Sequence, residues 1–193
     1  MIYSVTGELM AKGDQYVVVG VNGVSFKIYT SRRIAGSLKA TAPITLFAHL
    51  HVREDALELY GFPTKEERDF FEMLISISGV GPKSALSILD VAGLKELSAA
   101  IKEGRPDLLT KASGIGRKTA ERIIIELRGK VSSSASGTVV AKMESDADLV
   151  ETLMGLGYRR EEAKAALHKV PETVTGLEPR LKEALKLLSR KAL

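Results

Sequence analysis

The chain has no cysteine. Disulfides, thiolate zinc sites and cysteine nucleophiles are excluded together, and the composition fits a reducing compartment. Aromatic residues are only 5% and charged residues 27% of the 193 positions. That is an ordinary globular balance, neither disordered nor fibrous. Long hydrophobic runs are also missing. The longest uncharged stretch, 40–52, has 13 residues, against the roughly 20 that a membrane-spanning helix needs. Met1-Ile2-Tyr3-Ser4 has no basic segment ahead of an apolar one. It does not read as a signal peptide, and a cytoplasmic location is expected.

A block of one charge sign is lacking as well. Basic against acidic counts are 6 to 5 over 1–62, 12 to 10 over 63–131 and 10 to 9 over 132–193. The net charge of +4 is too small to argue nucleic-acid binding by itself. Any such binding must use placed groups rather than bulk charge. A P-loop is absent too: Gly116-Arg117-Lys118-Thr119 has an arginine wedged in, and Gly129-Lys130 is followed by valine. The chain therefore carries no ATPase motif of that kind, and no cofactor is expected.

What is present divides the chain by period. Residues 1–62 read as five strands, 2–9, 15–19, 24–29, 44–52 and 56–62, rich in β-branched and aromatic residues. Asn22-Gly23 between apolar runs is a strong hairpin signal. Five short strands without a long helix predict a small barrel of the OB-fold kind. After Pro63 the apolar period becomes 3.6. Thr64-Lys65-Glu66-Glu67 spells a capping box, and Phe70, Met73, Leu74 and Ile77 fall on one helical face. Helices are predicted at 82–89, 94–102 and 117–130, so 63–130 reads as an all-α domain. Ser132-Ser133-Ser134-Ala135-Ser136-Gly137 is linker chemistry, and 131–143 is expected to be a flexible tether. Helices at 146–154, 160–170 and 177–188 would make 144–193 a three-helix module. The expected fold class is α+β, multidomain.

One twelve-residue pattern occurs twice. Leu74-Ile75-Ser76-Ile77-Ser78-Gly79-Val80-Gly81-Pro82-Lys83-Ser84-Ala85 returns 35 residues later. The second copy is Leu109-Thr110-Lys111-Ala112-Ser113-Gly114-Ile115-Gly116-Arg117-Lys118-Thr119-Ala120. Each copy is a helix, then Gly-apolar-Gly, then a second helix opened by a basic residue. Gly79 and Gly81, or Gly114 and Gly116, permit a tight turn and close approach of a partner's backbone. The following helix begins with unpaired N–H groups and the positive end of its dipole, a ready phosphate site. This is the helix-hairpin-helix pattern. Its candidate phosphate contacts are Gly79, Gly81, Lys83, Ser84, Gly114, Gly116, Arg117, Lys118, Thr119 and Arg122. On the last helix Ala120, Ile123, Ile124 and Leu127 form an apolar stripe, with Lys118 and Arg122 opposite.

With Val52-Arg53-Glu54-Asp55-Ala56, Leu59-Tyr60-Gly61-Phe62, both hairpins and Leu156-Gly157-Tyr158, the chain resembles the RuvA family of bacterial Holliday-junction-binding proteins. The resemblance covers essentially the full length. It implies an OB-fold domain, a tandem helix-hairpin-helix domain and a mobile third domain of ubiquitin-associated (UBA) type. It also implies a homotetramer, sometimes doubled to an octamer, on four-way junction DNA. The implied partners are the RuvB ATPase, touched by the third domain, and the RuvC resolvase. Under this resemblance Glu54 and Asp55 are an acidic pin at the tetramer centre, concentrating about eight carboxylates where the DNA arms meet. Ile125, with no core to join on the wheel, is expected to meet a neighbouring subunit. Leu156 and Tyr158 are either partner contacts or core.

Two other classes remain for comparison. A helix-hairpin-helix nuclease or glycosylase would need clustered carboxylates or an activated nucleophile. Glu54 and Asp55 have no third ligand nearby in sequence, and His49 and His51 on one strand face read as structural, so no metal or catalytic residue is assigned. A single-strand-binding barrel would want stacking aromatics, whereas Tyr3, Tyr16, Phe26 and Tyr29 read as core.

Overall fold

The structure is a computed structural model. It describes residues 2–39, 42–131, 136–171, 174 and 176–189, with only the backbone described over 136–145. Two compact units result, Met1–Ser136 and Gly137–Leu193.

The first unit opens with β1 (Ser4–Lys12), β2 (Tyr16–Val21) and β3 (Val24–Tyr29), then a short helix α1 (Arg32–Ser37), then β4 (Ile44–Val52) and β5 (Leu57–Phe62). The strands close into a barrel in the order β1-β2-β3-β5-β4. All neighbours are antiparallel except β3 with β5. Asn22 and Gly23 both take positive φ, 47° and 86°, the primed turn whose twist matches its strands. Val17, Val19, Ile28, Leu46 and Leu59 alternate inward and fill the barrel. The sequence reading missed α1, which Ser31 caps by accepting from the Ile34 amide at 3.3 Å.

Helices α2 (Lys65–Ile75), α3 (Pro82–Val91), α4 (Leu94–Lys102), α5 (Pro106–Leu109) and α6 (Arg117–Leu127) follow. Thr64 caps α2 by accepting from the Glu67 amide at 3.2 Å. The Glu67 carboxylate is engaged elsewhere, with Arg33 of α1 at 2.8 Å. That ion pair is one of several links between barrel and helices. Asp90 of α3 accepts from the Arg33 amide at 3.2 Å and from Gln15 at 3.3 Å. His49 of β4 lies 2.9 Å from Glu72 of α2, the structural role expected for that histidine.

Apolar packing joins the same two parts. Ile34, Tyr60 and Phe62 belong to one core with Phe70, Phe71 and Leu74, and Phe71 stacks on Tyr60 at 5.1 Å. Barrel and helices thus form one compact unit, with a shared core that crosses the 62/63 boundary between the two expected domains. The physical reason is that Tyr60 and Phe62 point out of the barrel and need a cover. Tyr3 behaves otherwise than expected: it is 55% exposed, with the Arg68 guanidinium over its ring at 4.6 Å.

The second unit contains α7 (Ser136–Gly155), α8 (Arg160–Lys169) and α9 (Leu177–Ser189). Leu149, Leu153, Ala163, Leu167 and Ala184 form its core, and Asp146 pairs with Arg180 at 2.5 Å. The stretch 131–143 was expected to be a flexible tether. Val131 is instead buried in the first unit's core, residues 132–135 lie outside the described residues, and the chain is helical from Ser136. Helix propagation costs little once Leu149 and Leu153 anchor the segment, so α7 extends over residues whose local composition reads as linker.

Candidate nucleic-acid interface

The two copies of the repeat fold alike, bond for bond. In the first, Ile77 N–H donates to Leu74, Val80 N–H to Ile77 and Ala85 N–H to Gly81, at 3.1, 3.0 and 2.9 Å. In the second, Ala112 donates to Leu109, Ile115 to Ala112 and Ala120 to Gly116, at 3.1, 3.2 and 3.0 Å. Val80 and Ile115 are both buried and share the central core, so each hairpin tip is pinned by its apolar residue.

The two glycines of each hairpin do different work. Gly79 and Gly114 have φ of 91° and 80°, the left-handed region where a side chain is strained. Gly81 and Gly116 are the N-caps of α3 and α6, with ordinary negative φ and no side-chain cap. A Cβ built on either would meet nothing within 4 Å. The space beside these helix starts is open, and the N–H groups of Lys83 and Ser84, or of Arg117, Lys118 and Thr119, face the helix's positive end. Pro82 removes one donor from the first hairpin, so the second offers one more.

The hairpins are also tied to each other. Arg122 of α6 donates from Nη1 to the Ser78 carbonyl of the first hairpin at 2.9 Å. A Cβ on Gly114 would come within 3.3 Å of Ser84 Oγ. Arg122, expected only as a phosphate contact, thus holds the two cradles in fixed relation. Nothing in a single hairpin's sequence indicates this, because donor and acceptor are 44 positions apart. Arg117 pairs with Glu121 at 3.0 Å, the i,i+4 spacing that brings two side chains together on one helix face. Lys83 and Lys118 stand exposed beside their helix starts.

Glu54 and Asp55 occupy the exposed turn between β4 and β5, closed by Arg53 N–H donating to Ala56 at 2.9 Å. Arg53 also approaches Asp55 at 3.9 Å and Glu58 at 3.6 Å, so Asp55 is partly compensated. In the second unit Leu156 is 59% exposed, while Tyr158 is half-buried against the core. The pair therefore splits, one outward and one packed. Met154 and Leu177 are exposed on the same unit.

Fold and site together define a barrel protein with a tandem helix-hairpin-helix module. A family model described as the RuvA N-terminal domain matches residues 1–61, a SAM-like helix-hairpin-helix tandem matches 71–130, and the RuvA C-terminal domain matches 146–189. The chain is 41% identical to the "Holliday junction branch migration complex subunit RuvA" of Dehalococcoides mccartyi, covering 99% of this chain and all of that protein. It is also 41% identical to the protein of the same name from Bordetella avium (98% and 100% covered) and 38% identical to that of Clostridium perfringens (96% and 98% covered). The chain belongs to the RuvA family.

Proposed function

We propose that this protein binds four-way DNA junctions through backbone phosphates, without reading base sequence, and serves branch migration as the DNA-holding subunit of a complex. The observation that carries this is the duplicated cradle. Two helix starts, each beside an exposed lysine and cleared of side-chain bulk by glycine, are held together by Arg122. Such a pair grips phosphate geometry and offers no base-edge readers. A homotetramer would surround the crossover with eight cradles and hold it open and flat. The acidic turn of Glu54 and Asp55 would then face the centre, repelling a continuous duplex while the arms of an open junction pass around it.

ATP-driven movement belongs to a partner in this reading, the RuvB motor, recruited through the second unit where Leu156 is exposed. RuvC would join when the junction is resolved. A helix-hairpin-helix repair enzyme fits less well, because two carboxylates on helices flanking the hairpins are already engaged, Glu121 with Arg117 and Glu72 with His49.

Mobility shift with four-way junction, duplex and single strand side by side tests the reading; the junction should bind tightest. Lys83→Ala and Lys118→Ala should each lower the slope of log K against log salt by about one. Equal affinity of the Lys118 variant and the parent across a salt titration would remove the hairpin assignment.

A further inference from the structure

A groove of about 160 Å³ runs between the barrel and α3 in the first unit, lined among others by Tyr16, Tyr29, Glu58, Tyr60 and Lys83. Lys83 is the lysine of the first cradle, so the groove begins where that cradle ends. Two of the lining tyrosines also carry a cation: the Lys27 ammonium of β3 sits 4.5 Å from the Tyr16 ring centroid and 5.1 Å from that of Tyr29. Among the described residues no carboxylate pairs with Lys27. An exposed lysine ordinarily waves through many rotamers; here two aromatic faces hold its charge at one place.

The groove's one acid does not cancel that charge. Glu58 accepts from the Tyr60 hydroxyl at 2.9 Å and has Arg53 at 3.6 Å. Burial, and then the Glu58 contact, push the Tyr60 hydroxyl far above the ordinary tyrosine range, so it remains a donor to that carboxylate. What the groove presents is Lys83 beside three tyrosines, two of which carry Lys27 on their rings. Neither hairpin motif includes Lys27, Tyr16 or Tyr29.

We propose that this groove is a third backbone contact: the DNA strand gripped at the first hairpin continues across the barrel, and one of its phosphates binds Lys27 on its tyrosine seat. The proposal rests on the junction-binding reading above, through continuity with Lys83. It commits to nucleic-acid backbone as the occupant, because the groove shares Lys83 with a phosphate cradle and a second ammonium, Lys27, rests on two of its tyrosines.

The absence of cysteine makes the test clean. Lys27→Cys and Lys83→Cys each give the full-length protein a single thiol, to which an iron chelate is attached for hydroxyl-radical cleavage of a synthetic four-way junction. Both tethers should cut the same strand at neighbouring positions. In parallel, Lys27→Gln should weaken junction binding several-fold and lower the salt slope by about one. Lys12→Gln, whose ammonium is already bonded to the Leu38 carbonyl, should leave both unchanged. Tyr16→Phe, which keeps the ring, should bind like the parent, and Tyr16→Leu should bind like Lys27→Gln. Cleavage from position 83 but none from 27, with an unchanged slope for Lys27→Gln, would overturn the groove and leave the hairpins standing. Cleavage from neither position would overturn the junction reading itself.

Discussion

Gly116→Ala separates binding from folding more sharply than any charge reversal. In the free protein a Cβ at this position enters open space, and the backbone, at φ −81° and ψ 166°, is one that alanine adopts without strain. Two effects on stability then oppose each other. Alanine is a poorer N-cap than glycine, which costs about 0.5–1 kcal/mol. It also restricts the unfolded chain, a gain of about 0.4–1 kcal/mol. The net should lie within about 0.5 kcal/mol of zero, a melting shift of roughly 2 °C or less. Binding should respond quite differently. If the proposed phosphate site is right, the new methyl group fills the space through which a phosphate would reach the Arg117, Lys118 and Thr119 amides. Losing one charge-assisted bond there costs about 1.5–3 kcal/mol, or roughly tenfold to a hundredfold in affinity. Gly114→Ala is the matched contrast. Its φ of 80° and the nearby Ser84 Oγ penalise folding by about 1–2 kcal/mol, so stability should fall along with binding. Fluorescence anisotropy on labelled junction, paired with thermal unfolding, reads both quantities. Gly116→Ala binding the junction as tightly as the parent would refute the argument that the open space is a phosphate site.

The other expectations address separate parts of the molecule. Ile115→Ala removes a buried anchor shared with the central core and should destabilise the first unit by about 3 kcal/mol, measured by denaturant titration. Glu54→Gln with Asp55→Asn should raise affinity for plain duplex while junction binding is kept. Since Arg53 already compensates Asp55, Glu54→Gln alone should account for most of the change, and unchanged duplex affinity in titration would make the turn an ordinary solvated tip. A chain truncated after Val131 should retain junction binding but lose stimulation of the partner motor. Stopping at Gly129 should cost stability, because Val131 is packed in the core. Ile125 is 79% exposed on α6; Ile125→Asp should lower the sedimenting mass of the assembly, and an unchanged sedimentation coefficient would exclude it from a subunit contact.

Local chemistry was legible in the sequence wherever a structure depends on residues close together along the chain. Asn22-Gly23 specified its turn because few residue pairs tolerate two positive φ values. Thr64 declared the start of α2, and the spacing of Gly-Val-Gly and Gly-Ile-Gly announced both cradles, since turn, anchor and helix start lie within eight positions. Choices between distant partners were not legible. The sequence offered Arg122 as one more cation, and the fold gave it the Ser78 carbonyl. Glu67 completed a capping box on paper, yet its carboxylate went to Arg33 of another helix. The helical extension of α7 into Ser/Gly-rich chain depends on a core further along that pays for it. Tyr60 and Phe62 alternate correctly for a barrel, but that alternation does not reveal that their outer face is covered by Phe71. The Lys27 seat is likewise a product of pairing: the register of β2 against β3 sets Tyr16 beside Tyr29, thirteen positions apart, beneath its ammonium. Periodicity reports which side of an element is apolar; only the packed arrangement of elements determines which group fills each donor, acceptor and charge, and here that arrangement tied two repeated motifs together through Arg122 and the Ser78 carbonyl.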